Sequence, residues 1–276
     1  MAKEVVKTNQ QKSESSVAKL RALLSSDSVR EQFENSLKEN TGAFVASVID
    51  LYASDKYLQE CNPNKVMMEA LKAATLKLPI NKQLGFAYIV PYKTGGEAIP
   101  TMQIGYRGYI QLAMRTGQYR HLNAGEVHEG VKVNRNLLTG EVSFSGEKTG
   151  DKVTGFFAYM ELLNGFSKTL YMTHAEVEAH AKRYSKSFNS QHSAWKTHFN
   201  EMAMKTVIRL LLSKYGILST DMISALTADM SEQEDRVEEE IAMSANDEYI
   251  DVEVSEPEPD AETEAPPEYE QQKAPF

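Results

Sequence analysis

The side chains in this sequence that have chemistry to offer are cations set among aromatics. The stretch QIGYRGYIQLAMRTGQY (103–119) carries Tyr106, Arg107, Tyr109 and Arg115, and Arg120 follows directly. Gly105 and Gly108 would let a backbone approach closely, and a helix starting there would offer free amides to an anion. Arg115 falls where a helix C-terminus favours a cation, but Arg107 falls at the helix start, where the dipole disfavours one. That placement points to phosphate. A second set, Lys205 and Arg209, lies one turn apart on a predicted helix, with Lys196 in support. A third set, Lys182, Arg183 and Lys186, is expected on a loop with Tyr184 and Phe188. Cations interleaved with aromatics suit single-stranded nucleic acid, whose phosphates need charge and whose bases offer stacking faces. The ordinary alternatives are a solvated charged face for Lys205 and Arg209, and core packing for Tyr109, Leu112 and Ala113.

Other chemistry is poorly represented. There is no GxxxxGK[ST] phosphate loop, and GEKTG (146–150) has neither its spacing nor a following helix. The six histidines form no HExxH or paired-ligand spacing, Cys61 has no partner cysteine, and no GxSxG elbow occurs. No catalytic residue, resident metal or required cofactor is expected, with Mg²⁺ at most an aid to DNA. Scattered carboxylates leave a metal-dependent nuclease as the least favoured alternative.

The elements that must position these groups alternate between helical and strand periods. Apolar spacing predicts two or three helices over 16–60. Asn62-Pro63 then opens a helix running to about Leu78. FAYIVPY (86–92) and AIPTMQI (98–104) read as a hairpin around TGGE, its prolines placing it near an edge. A helix over 106–116 closes at Gly117. Strands are expected at 122–129, 141–146, 153–161 and 167–172, with Asn164-Gly165 as a two-residue hairpin turn. Thr173 to Glu176 is a capping box. A last helix should run from Ser193 to Tyr215, with Trp195, Phe199, Met202, Thr206 and Leu210 facing inward.

Charge divides the chain. Of 30 Lys+Arg and 39 Asp+Glu, residues 231–276 hold 2 and 17, leaving 28 and 22 in residues 1–230. A body of net +6 thus carries a tail of net −15, an asymmetry common in proteins that handle nucleic acid. The expected organisation is a disordered leader (1–15), a core (16–230) and a disordered acidic tail (231–276). One cysteine, no signal-like leader and no run of about 18 apolar residues suggest a cytoplasmic protein with no membrane partner.

ALKAATLKLPINKQLGFAYIVPY, QIGYRGYIQLAMRTGQY and SAWKTHFNEMAMKTVIRLLLSKYG, in this order and with the acidic tail, resemble the RecT family of phage single-strand annealing recombinases. The resemblance spans roughly residues 20–225. It implies an α+β fold: a curved antiparallel hairpin sheet packed with helices in a Rad52-like annealing core, flanked by N-terminal helices. It also implies ATP-independent pairing of complementary strands by a homo-oligomeric ring or helical filament in the bacterial host. The partners implied are single-stranded DNA, the annealed duplex intermediate, and a phage exonuclease or host single-strand binding protein reached through the tail. Tyr106, Arg107, Tyr109, Arg115, Arg120, Lys182, Arg183, Lys186, Lys196, Lys205 and Arg209 are the candidate DNA contacts. A passive single-strand binding protein is the main alternative.

Overall fold

The structure, a computed structural model, describes residues 16–94, 96–185, 187–190 and 193–230. The leader (1–15), the acidic tail (231–276) and Lys186 lie outside the described residues.

Three helices occupy the N-terminal part: α1 (16–24), α2 (Asp27–Leu37) and α3 (Thr41–Ser54). They bury Leu20, Leu24, Phe33, Phe44, Val48 and Tyr52 in the core. The helix α4 (Pro63–Thr75) opens as its sequence dictates, with Pro63 in the first turn and the Asn62 side chain accepting from the amide of Asn64 at 2.9 Å. It ends short of Leu78 because Lys77 adopts a left-handed φ of 53°.

The hairpin β1 (Ala87–Thr94) and β2 (Glu97–Ile104) follows, with Pro91 opposite Pro100. This is a two-stranded ladder, so a missing amide facing its open edge forfeits no ladder bond. Burial alternates along β2. Ala98, Pro100, Met102 and Ile104 face the core, and Ile99, Thr101 and Gln103 face the other way. After α5 (Tyr106–Met114) and the left-handed Gly117, strands β3 (Tyr119–His128), β6 (Val153–Leu162) and β7 (Ser167–Thr173) form an antiparallel sheet in the order β3-β6-β7. The helix α6 (His174–Tyr184) starts from the predicted capping box, in which Glu176 accepts from the Thr173 amide at 2.6 Å. After α7 (Ala194–Thr197), α8 (Phe199–Tyr215) packs on α5 and all three strands of that sheet, and α9 (Thr220–Met230) packs on α5 and β2. The chain is α+β, with N-terminal helices and antiparallel sheets packed against helices.

Several sequence expectations need correction. A short hairpin of β4 (Lys132–Arg135) and β5 (Val142–Ser145) stands apart from the main sheet; of the pair, only the second strand was predicted. Arg135 ties it down, reaching Glu176 at 3.1 Å and the Tyr171 carbonyl at 3.2 Å. The β6–β7 loop has three residues rather than two. Leu162 pairs with Phe166, and Gly165 takes φ 86° at the bulge position. The predicted 193–215 helix is broken at His198 (φ −140°, ψ 52°), which rotates the inward stripe. Ala203, Thr206, Val207, Ile208, Leu211 and Leu212 are the buried positions of α8, while Leu210 is only partly covered.

The glycines of GYRG make room for a close approach within the fold. The Gly105 amide donates to the Phe86 carbonyl at 3.0 Å, and a methyl group on Gly105 or Gly108 would overlap the Gly85 or Phe86 carbonyl, respectively. The close approach seen in the fold is between α5 and the entry to β1. Gly108→Ala should therefore destabilise the fold by about 1–3 kcal/mol, measured by urea unfolding. A stability equal to the parent's would mean the helix shifts freely there.

Candidate nucleic-acid interface

Hairpin and helices meet in a cleft of about 970 Å³. One wall is the hairpin face that alternation turns away from the core: Val90 and Tyr92 on β1, Ile99, Thr101 and Gln103 on β2. Gln103 donates to the Tyr92 hydroxyl at 2.7 Å, which fixes that ring. The opposite wall is α8, presenting Met202, Lys205, Thr206 and Arg209. The end of α6 and the segment beyond it contribute His180, Tyr184, Ser185 and Trp195, while Tyr57, 59% exposed, and Lys93 stand on the hairpin side. Lys205 and Arg209 are thus directed at a concave, partly aromatic surface.

Arg107 joins this arrangement from α5. It is exposed, and its Nε donates to the Tyr106 hydroxyl at 3.1 Å. Tyr88 lies beside it, its phenol pKa raised by burial and by Glu201 against the opposing pull of Arg107. Tyr88 shares its strand face with Val90 and Tyr92, so the α5 arginine stands at one end of the hairpin wall.

The remaining candidates separate. Tyr109 has no exposed surface and belongs to the core, so it cannot stack on a base. Arg115 donates to the carbonyls of Leu76 and Lys77 at 2.6 and 2.7 Å, closing the C-terminus of α4. Arg120 pairs with Glu161 at 2.8 Å on the β3–β6 ladder. Lys182 and Arg183 belong to the last turn of α6 rather than to a loop. There Lys182 pairs with Glu178 at 2.8 Å, and Arg183 lies over the Tyr184 ring. Lys196 is exposed on α7.

Sequence reasoning missed the hairpin wall and His180. The signal for the wall was present in the alternation of Tyr88, Val90 and Tyr92 with buried Ala87 and Ile89. His180 was not singled out because its environment is completed from a distance: Arg183 lies one turn on in α6, but Arg209 comes from α8. Burial first, and then those two arginines, lower its pKa to about 4. No group of three or more metal-ligating side chains occurs among the described residues, and no described helix is long and apolar enough to cross a membrane.

Two outcomes follow from these positions. Arg115→Ala should lower stability by about 1–2 kcal/mol while leaving the salt dependence of DNA binding unchanged; a reduced salt slope would place Arg115 on the nucleic acid. His180 should be neutral at pH 7 and titrate near 4 by NMR, against about 6.5 in the unfolded chain. The unfolded state then binds the extra proton first, so stability that is complete above pH 6.5 is lost as pH falls toward 4. A His180 midpoint near 6.5 would contradict the half-buried, cation-flanked placement.

Comparison with known proteins identifies the family. The RecT family model matches residues 42–243. The uncharacterized protein YqaK of Bacillus subtilis (strain 168) is 44% identical over 268 residues, covering 95% of this chain and 90% of the relative. Protein RecT of Escherichia coli (strain K12) is 32% identical over 181 residues, covering 63% of this chain and 66% of the relative. The family match includes the hairpin, α5 and α8, the elements that build the cleft and carry Arg107. The chain therefore belongs to the RecT family, non-catalytic proteins of single-strand annealing recombination that bind single-stranded DNA.

Proposed function

We propose that the cleft between the β1–β2 hairpin and α8 holds the DNA backbone, and that this protein pairs complementary strands without nucleotide hydrolysis as a filament or ring of subunits. The observation that carries this reading is the placement of Lys205 and Arg209 opposite the aromatic hairpin wall. Arg107 extends the track, and Lys196, Lys182 and Arg183 supply charge around it. Tyr92 and Tyr57 offer sugar or base contacts from the hairpin side.

Annealing needs no fuel. Each base-pair step formed yields roughly 1.4 kcal/mol of stacking. The barrier lies in phosphate repulsion and in the secondary structure of the separate strands. A protein that neutralises phosphates and holds the strand extended lowers both, provided Watson–Crick edges stay free. The acidic segment 231–276 fits two roles: shielding the basic cleft, or recruiting a host single-strand binding protein or phage exonuclease. Deleting it and measuring DNA affinity beside partner capture distinguishes these roles.

The test of the cleft is the double variant Lys205→Ala/Arg209→Ala. Affinity for single-stranded DNA should fall across all sequences, and the slope of log affinity against log salt should flatten by about 1.4, that is about 0.7 per lost contact. An unchanged slope removes the cleft from the binding path. An annealing assay without ATP tests the activity itself: pairing faster than DNA alone supports annealing, whereas slower pairing marks a passive protective coat.

A further inference from the structure

Leu137 and Leu138 stand almost wholly in solvent, 96% and 94% exposed, between β4 and β5. Their turn is built rather than loose. The Asn136 side chain accepts from the amides of Leu138 and Thr139 at 3.0 and 3.2 Å, the Gly140 amide donates to the Asn136 carbonyl at 2.7 Å, and Lys168 Nζ donates to the Thr139 carbonyl at 2.6 Å. Two adjacent leucines held out by a braced turn forgo the burial that would stabilise them. A braced knob also loses little conformational freedom on docking. The surface it fits must be concave and mainly apolar.

A concave surface lies between α1 and the N-terminal end of α4: a shallow cleft of about 570 Å³ in which Ala22, Leu23 and Pro63 offer apolar contact among Lys19, Ser26, Asn62 and Asn64. Glu141 beside the leucine tip and Lys19 in the cleft are of opposite charge. In its own molecule the tip is not seated in that cleft, since both leucines stand almost wholly in solvent. Through Lys168 the tip is tied to β7 and stands near Tyr215, at the end of α8. The cleft is at the N-terminus of α4, about 20 Å along that helix from the end that Arg115 closes. A knob and a hole at different places on one surface make a head-to-tail contact, which repeats into a ring or an open filament.

We propose that the Leu137–Leu138 tip of one copy of this chain seats in the α1–α4 cleft of the next copy. This names the subunit contact of the assembly in the functional reading above and rests on that reading only for the use made of the assembly. Nothing in the DNA cleft takes part in it.

The test uses the full chain and measures its size by sedimentation velocity, with and without a long oligo-dT strand. One variant, Leu137→Ser/Leu138→Ser, removes the knob. The other, Ala22→Arg, fills the cleft from an exposed helical position that tolerates arginine. Both should keep the parent melting temperature and the parent affinity for an oligonucleotide short enough to occupy one subunit. Each alone should remain monomeric where the parent assembles, with self-association weakened about a hundredfold or more. Mixed together they should form one-to-one pairs and nothing larger, because one knob and one cleft remain between them. Variants that assemble like the parent, a mixture that stays monomeric, or a parent that is itself monomeric would each overturn the contact. A parent that fails to anneal strands, with the pairing pattern intact, would instead overturn the functional reading and leave the contact standing.

Discussion

The cleft depends on one close backbone approach. The amide of Gly105 bonds to the Phe86 carbonyl, and Gly108 lets that same carbonyl pack against the first turn of α5. This contact sets the angle between the β1–β2 hairpin and α5. Since α5 in turn packs on α8, it also sets how far the hairpin stands from Lys205 and Arg209. A side chain at either glycine would overlap the Gly85 or Phe86 carbonyl and force α5 away from the entry to β1.

The cations on the cleft are kept where water can still reach them. Lys205 and Arg209 are partly exposed rather than buried, which spares them most of the several kcal/mol that full desolvation of a charge costs. On the proposed reading, counterions held by the DNA would be exchanged for these side chains, and the entropy of counterion release would drive binding. His180 takes the opposite course. Burial beside two arginines keeps its imidazole neutral, so it adds a polar but uncharged edge between cationic neighbours. Arg115 and Arg120 show how little residue type alone says about role. Both are arginines near an aromatic-rich helix, yet one closes a helix terminus and the other pairs with Glu161 across a ladder.

Much of the local structure was legible because it is set by near neighbours. The Asn62-Pro63 start of α4, the Thr173–Glu176 capping box and the left-handed Gly117 each involve groups within about four residues, and each occurs as expected. The errors arose where distant segments intervene. The break at His198 turns Trp195 and the body of α8 to different azimuths, so the predicted stripe through Leu210 missed Leu211 and Val207. The Gly-Tyr-Arg-Gly glycines announced a close approach correctly, but not what approaches: the nearest backbone comes from residues 85 and 86, some twenty positions earlier in the chain.

By itself the sequence determined the α+β class, the order of elements, the charge division between body and tail and, through its motif blocks, the RecT family. These follow from periodicity, capping chemistry and composition, which act over short range or need no geometry. Tertiary structure alone decided which cations share a surface. Lys205 and Arg209 face the hairpin because α8 packs its other side on the β3-β6-β7 sheet, and Arg115 is turned away because α4 ends beside it. Side-chain direction depends on which face of an element is buried, and burial is settled only when distant segments meet.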